Sequence, residues 1–531
     1  MRGVSPAARA GGLVGVSVGN AVGTAFQNDP SKAGARFAAL NLLSELDTGG
    51  EYYIERSSGS AQAREARGML YFKPPSSTLP SDPIDGAFVS SAPAVIALAN
   101  QTAYVTFENL RIEHSTGSAV QGPGPAVPGS APASTHWPFP GNHRLESVHF
   151  RGCTIGNTGG GGAEILNCRG CSVSDGDVSG VAGIGIILAG GLHRSLSPGT
   201  NLVAGNTIHH YARWHRTYNP GIFFTGVGNR FAGNEIFAAP HQAIFGGGNF
   251  ALCGVCHYLP KPPECDAEHD SSLLPHDAVC GSNDNVFEGN AVHDTTWEVV
   301  DSGCVYSNGQ EGTGYTNRGN IFRNNTIQRV TLNKTRLALA ERGHITNIAK
   351  AFGNQVVAAV YFDDTMSSWT VEDNVIADTD YSVLLHGGRD NVIRRNSLVS
   401  ARFGIFLAPD GIPSKGFNKI QLSVATRAYQ EVKTSAGWAA WRKYGVVAPT
   451  DFQDYLSSVY LVQNNTVLDN TYCNMHPGPF CVSYDVKRCL TDQMNWTDFD
   501  KTKNGCCCEG ALASGYNCPA GAKRCLNATV Q

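Results

Sequence analysis

Charged side chains are scarce in this chain. Lys, Arg, Asp and Glu make up 16% of its 531 residues, where an average protein carries about 25%. The 40 Lys plus Arg set against 44 Asp plus Glu leave a formal net charge of −4, so there is no basic excess to attract nucleic acid. No run approaches the roughly 18 apolar residues of a membrane span. No strict Gly-X-Y period is present, which excludes a collagen triple helix. Disorder is excluded too: disordered chains combine high net charge with little apolar content, and here 42% of residues are hydrophobic. Met1 to Phe26 lacks the apolar segment of a secretory signal peptide, which points to a truncated N-terminus.

What is abundant is glycine: 61 residues, about 11% of the chain, against an average near 7%. With 26 Pro and little helical periodicity, this describes a β-rich, turn-rich protein. Length alone allows several domains, but a solenoid grows without closing a globule, so internal repeats decide. One motif recurs: an apolar pair, two small or polar residues, Asn, any residue, then Ile or Val. It reads Leu202-Val203-Ala204-Gly205-Asn206-Thr207-Ile208, then Arg230-Phe231-Ala232-Gly233-Asn234-Glu235-Ile236 and Val286-Phe287-Glu288-Gly289-Asn290-Ala291-Val292. Further copies centre on Asn109, Asn325, Asn374, Asn396 and Asn465, and Cys153 and Cys171 stand where Asn is expected. Each unit is two or three short strands separated by Gly or Asn turns. That is one coil of a right-handed parallel β-helix, an all-β fold. Asn tolerates the left-handed conformation. Equivalent Asn residues in stacked coils can form an amide ladder, and the following Ile or Val points into the core.

The expected organisation has a lead-in at 1–50 and a β-helix at 51–470. Insertions interrupt the β-helix at about 122–141, 251–283, 331–355 and 413–454. The last insertion carries a helical excursion around Trp438 to Lys443. After Asn470 the rhythm is expected to stop and a Cys-rich cap to follow at 471–531. Eight of the 16 Cys crowd that tail, from Cys473 to Cys525. Such density reads as a disulfide-stapled module. Cys253, Cys256, Cys265 and Cys280 are read as disulfides rather than a zinc site, because no second CxxC follows. Sequons at Asn100, Asn324, Asn333, Asn464, Asn495 and Asn527 add to an expectation of secretion or display at the cell surface.

Two groups of residues carry chemistry. The first is His209 to Pro220, with His210, Arg213, Trp214, Arg216 and Tyr218. Aromatic faces stack on sugar rings, and Arg or His donates to hydroxyls or carboxylates. His241 falls in the corresponding place one coil later. The second group is acidic: Asp301 opens Asp301-Ser302-Gly303-Cys304-Val305-Tyr306, and Asp363 and Asp364 end Val360-Tyr361-Phe362-Asp363-Asp364. Strands of successive coils lie about 4.8 Å apart, so carboxylates one or two coils apart span the separations of retaining and inverting glycosidases. Turn-capping aspartates and a Ca²⁺ site are the competing readings.

These stretches carry a resemblance. Gly50-Glu51-Tyr52-Tyr53-Ile54 and Gly68-Met69-Leu70-Tyr71-Phe72-Lys73-Pro74-Pro75, followed by the segments around Asn109, Trp214, His241, Asp301 and Asp363, resemble glycoside hydrolase family 141 and its relatives, over about residues 38 to 410. The resemblance implies a β-helix glycosidase with Asp301 and Asp363 or Asp364 as the catalytic pair. Where such proteins carry a Gly-Arg-Asp-like stretch, this chain has Ser307 to Glu311.

The leading expectation is therefore a secreted, monomeric enzyme hydrolysing polysaccharide glycosidic bonds without a cofactor. Asp301 and Asp364, or Asp363, would be catalytic. His241, Arg213, Arg216, Tyr218, His210, Trp214 and Tyr306 would bind substrate. One rival is a polysaccharide lyase or uronate epimerase using Arg213, Arg216 or His241 together with Ca²⁺. Another is a non-catalytic glycan-binding or cell-surface structural protein.

Overall fold

The computed structural model describes residues 42–56, 68–74, 90–122, 145–192, 195–247, 282–297, 302–309, 317–331, 357–364, 366–408, 438–444, 465–482 and 528–530. They divide into two units. In the smaller, Tyr52–Arg56 pairs antiparallel with Gly68–Phe72, Tyr52 opposite Phe72 and Arg56 opposite Gly68. The two lead-in motifs are thus the strands of a hairpin. Parallel coils, expected from residue 51, begin among the described residues at Ile96.

In the larger unit the chain winds through strands that pair parallel with the coils before and after. Short antiparallel pairings at Gly191–Pro198 and Val467–Val530 are the exceptions. A complete coil has three strands, as in Leu202–Ala204, Thr207–His209 and Ile222–Val227. Each strand type builds one face. On the first, Phe107, Phe150, Val203, Phe231, Phe287 and Phe322 point inward. Phe231 stacks on Phe287 at 4.7 Å and 8°, so one side chain repeats at the strand spacing. On the second face the Ile of the recurring motif fills the core, as Ile155, Ile208, Ile236 and Ile327. The third face sends Ile186, Ile222, Ile244, Val305 and Val360 inward. Trp369 closes the interior against Phe362 at 4.9 Å and Phe287 at 5.8 Å. The result is an all-β parallel β-helix.

The amide ladder forms where the motif places it from Asn206 to Asn396; in the last coil it passes through Asn470, and the motif's Asn465 is instead the partner of Asn391. Asn206, Asn234, Asn290, Asn325, Asn374, Asn396 and Asn470 follow one another coil by coil. Each Nδ2 donates to a carbonyl one coil back and, in all but Asn470, to the next Oδ1; for Asn290 these are Phe231 O at 3.0 Å and Asn325 at 2.9 Å. The ladder residues are not themselves left-handed, a correction to the expectation. That conformation falls on the residue before, with φ of +66° at Gly205, +62° at Gly233 and +57° at Asp373, which explains Gly-Asn pairs there. A second ladder runs through Asn201, Asn229, Asn285 and Asn320. Cys171 heads it through its N–H, while Cys153 sits beside the first.

Cys168 and Cys171 form a disulfide, and Cys153 and Cys304 are buried free thiols. Cys473, expected in the stapled tail, lies in Thr466–Val482, which goes on pairing parallel with the preceding coil beyond Asn470. The expected helical excursion is present as Trp438–Trp441 and Arg442–Tyr444, with Lys443 paired to Asp284. Cys481 lies in the same strand as Cys473, opposite Phe406; the central-loop cysteines, the remaining tail cysteines and nearly all of the remaining insertions lie outside the described residues. No helix among the described residues is long and apolar enough to cross a membrane.

Candidate functional site

The third face carries the site. Inward residues alternate with an outward row formed by Ile187, Phe223, Phe245, Tyr306, Tyr361, Leu384 and Phe406, partners in successive coils. Phe245 lies 5.5 Å from Tyr306, and Tyr306 lies 5.2 Å from Tyr361. The row forms a buried apolar cluster separate from the helix interior.

Asn308 is the register partner of Asp363 at the end of these strands, and His386 ends the corresponding strand of the next coil. Asp363 is gripped on both oxygens. Tyr306 Oη–H donates to Oδ2 at 2.6 Å, and the Asp364 N–H donates to Oδ1 at 2.8 Å. His386 Nδ1 is 2.7 Å from Oδ1; facing an ionised carboxylate, it is the protonated nitrogen and donates. Burial pushes the Asp363 carboxyl up, but the His386 hydrogen bond and charge, the Tyr306 hydroxyl and the Asp364 N–H outweigh it, so its pKa ends below the ordinary carboxylate value. Burial, with Asp363 adding, drives the Tyr306 hydroxyl far above its usual value, so it stays a donor.

Asp364 is built differently. Its backbone has φ +44°, a left-handed conformation that costs a non-Gly residue energy and turns the chain out of the strand. Its side chain is 24% exposed against 10% for Asp363. Asn308 Nδ2 donates to its Oδ2 at 2.8 Å. Ligand atoms of Asp363, Asp364 and His386 all fall within 4.8 Å of one another, a spacing that could hold a cation.

The other expected site residues divide. His241 is fully buried, and its Nδ1 accepts the Tyr218 N–H at 2.8 Å; burial lowers its pKa to about 3. It is a neutral imidazole locked behind Tyr218, not a surface contact. Tyr218 lies 5.9 Å from Phe245 and joins the outward row. Arg213 and Trp214 are exposed on the turn before this face, and Arg213 Nη1 donates to Gly180 O. Arg216 is partly buried there. His210 belongs elsewhere: it contacts His209, whose ring stacks on Phe237 of the second face at 4.9 Å. Asp301 lies outside the described residues. Ser302, the next residue, pairs with Val357, six steps or about 20 Å of strand from Asn308. His386 and Asn308 escaped the sequence reading.

No protein-family model matches the chain, and no curated protein does. A solved structure described as a glycoside hydrolase is similar at 14% identity with a TM-score of 0.41, over 73% of this chain and 59% of that one. The chain therefore spans about three fifths of that protein's length.

Proposed function

We propose that this chain is a carbohydrate-active enzyme hydrolysing glycosidic bonds, with Asp363 and Asp364 as its carboxylate pair. The observation that carries the reading is their unequal environment at one strand end. Asp363 is buried and held ionised by Tyr306 and His386, while Asp364 is turned outward. Glycosidases need one carboxyl to deliver a proton and another to act as an anion. Asp364 gives its proton to the leaving oxygen as the anomeric C–O bond breaks. Asp363 attacks the anomeric carbon to form an ester. Asp364, now ionised, takes a proton from the water that hydrolyses that ester. One oxygen of each lies within 4.8 Å of the other, nearer to the roughly 5–5.5 Å of retaining pairs than to the roughly 6.5–9.5 Å of inverting ones, which favours a product that keeps its anomeric configuration. The register favours Asp363 over Asp301 as the partner, because Ser302 lies at the far end of the strand. Secretion belongs to the same reading, supported by the tail cysteines and sequons.

A lyase reading has its own support: Asp363 bound to His386 Nδ1 at 2.7 Å is the arrangement that orients an imidazole as a base. Products distinguish the two. Proton NMR of the first turnover of a glycan panel is expected to show new reducing ends with retained configuration and no unsaturated sugar. Ultraviolet-absorbing unsaturated ends would favour the lyase.

A further inference from the structure

One amide joins the two carboxyls of the site. Asn308 ends Ser302–Asn308 and is the register partner of Asp363 in the next coil. It follows Tyr306 by two residues, so both side chains leave the strand on the same outward side. It is 5% exposed. Its Nδ2 donates to Asp364 Oδ2 at 2.8 Å and to Tyr306 Oη at 3.1 Å. An amide nitrogen carries two hydrogens, one for each bond. The reverse orientation would set the amide oxygen against a carboxylate, and against a hydroxyl whose own hydrogen goes to Asp363 Oδ2 at 2.6 Å. The bonds therefore run in one direction: Asn308 holds Asp364 directly and Asp363 through Tyr306. Hydrogen bonds in series polarise one another.

The backbone fixes the amide. The Gly309 N–H donates to Asp363 O at 3.0 Å. A Cβ on Gly309 would fall 2.8 Å from Asp364 O and 2.9 Å from the Met366 nitrogen. The chain leaving Asn308 thus lies directly against the turn that carries Asp364.

An amide suits this place because it binds an oxygen without bringing a charge. A Lys or Arg there would hold Asp364 as an anion and oppose the protonated form that an acid needs. The amide leaves the acid form open and sets its geometry. The carbonyl oxygen of a carboxylic acid accepts a hydrogen bond better than its hydroxyl oxygen does. Protonated Asp364 therefore keeps Oδ2 as the carbonyl oxygen towards Asn308 and carries its hydrogen on Oδ1.

We propose that Asn308 is a positioning residue for glycosidic cleavage, fixing Asp364 so that Oδ1 delivers the proton and bracing the Tyr306 hydroxyl that holds Asp363. The proton passes from Oδ1 to the leaving oxygen as that oxygen takes the electron pair of the anomeric C–O bond. Asn308 keeps both of its hydrogens. The inference rests on the reading of Asp363 and Asp364 as the working pair.

The test uses leaving groups, because a good one departs without a proton and a poor one needs it. Phenyl and 2,4-dinitrophenyl glycosides of glucose, xylose and galactose are compared by kcat/KM on the full chain at neutral pH. Asp364→Asn is expected to lose far more on the phenyl glycoside than on the dinitrophenyl one. Asn308→Ala is expected to show the same bias, its phenyl loss exceeding its dinitrophenyl loss by about tenfold, the worth of one hydrogen bond. So is Asn308→Asp, which keeps the size but carries no N–H on its side chain. A purely structural role would lower both substrates equally. Equal losses in an Asn308 variant with wild-type circular dichroism, or wild-type rates on both substrates, overturn the proposal. The Asp variant decides if the Ala variant unfolds. If Asp364→Asn itself shows no bias, or the wild type cleaves neither substrate, the carboxylate-pair reading fails and this inference with it.

Discussion

Asp363 and Glu164 lie on one face and are tuned in opposite directions. Asp363 has donors on both oxygens, which favour its charge. Glu164, on Ala163–Ile165, is buried, which disfavours its charge, and the Ser118 hydroxyl that donates to it only partly offsets this. Tyr306→Phe removes the donor to Asp363 Oδ2 and is expected to lower kcat about 10- to 100-fold, as for a hydrogen bond to a charged group. It should also shift the acid limb of the pH–rate profile upward, because that donor helps hold the Asp363 pKa down. A fall in activity without that shift would assign Tyr306 to packing alone. For Glu164 the folded-state pKa lies above the unfolded one, so its contribution to stability is complete in acid and is lost as pH rises through the folded value. Glu164→Gln is therefore expected to melt increasingly above wild type as pH rises above the ordinary carboxylate range; parallel melting curves would contradict this. Asp363, Asp364 and Tyr306 were legible as single residues in the sequence. His386 was not, because its role comes from register. Val383-Leu384-Leu385-His386 lies directly against Val360-Tyr361-Phe362-Asp363, and aligning those two stretches as consecutive coils would have exposed it.

At the scale of elements, two columns hold the coils in register: the stacked Phe rings and the Asn amides. Asn290→Ala removes the acceptor of the Asn234 N–H and Nδ2 and leaves Phe231 O without its amide. An unsatisfied buried polar group costs about 1–3 kcal/mol, so a loss of roughly 3 kcal/mol is expected in chemical denaturation. Phe287→Ala, between Phe231 and Phe322, is expected to cost about 3–5 kcal/mol. A change under about 1 kcal/mol for either would mean that the columns do not set stability. The first ladder was legible because its Asn precedes the inward Ile by two residues in copy after copy. The second was missed although its signal is as regular. Asn201, Asn229, Asn285 and Asn320 each stand five residues before a ladder Asn, but the motif was anchored on its C-terminal Ile.

For the whole molecule, a β-helix is stabilised between neighbouring coils rather than around one centre. Hydrogen exchange should therefore be slowest in strands paired on both sides, such as Val286–Glu288 and Ile321–Arg323. It should be faster in Thr102–Glu108, which pairs only with Leu145–Arg151 among the described strands. Uniform protection across these strands would contradict the coil-by-coil picture. The solenoid was legible because each coil repeats its turn chemistry. Its limits were less so. The hairpin of Tyr52 and Phe72 has the same apolar and aromatic make-up as coil strands, and Thr466–Val482 lacks a further Asn motif to announce it.

The central claim is that Asp363 and Asp364 are the working pair. Asp363→Asn, Asp364→Asn and Asp301→Asn are compared on the glycoside that the wild type turns over fastest. Loss of a carboxyl that acts only in the transition state typically costs at least about 10²-fold, so the first two are expected to fall by that much or more with the fold intact by circular dichroism. Asp301→Asn is expected to stay within a few-fold of wild type. Full activity in either Asp363→Asn or Asp364→Asn, or a collapse in Asp301→Asn equal to theirs, would contradict the account.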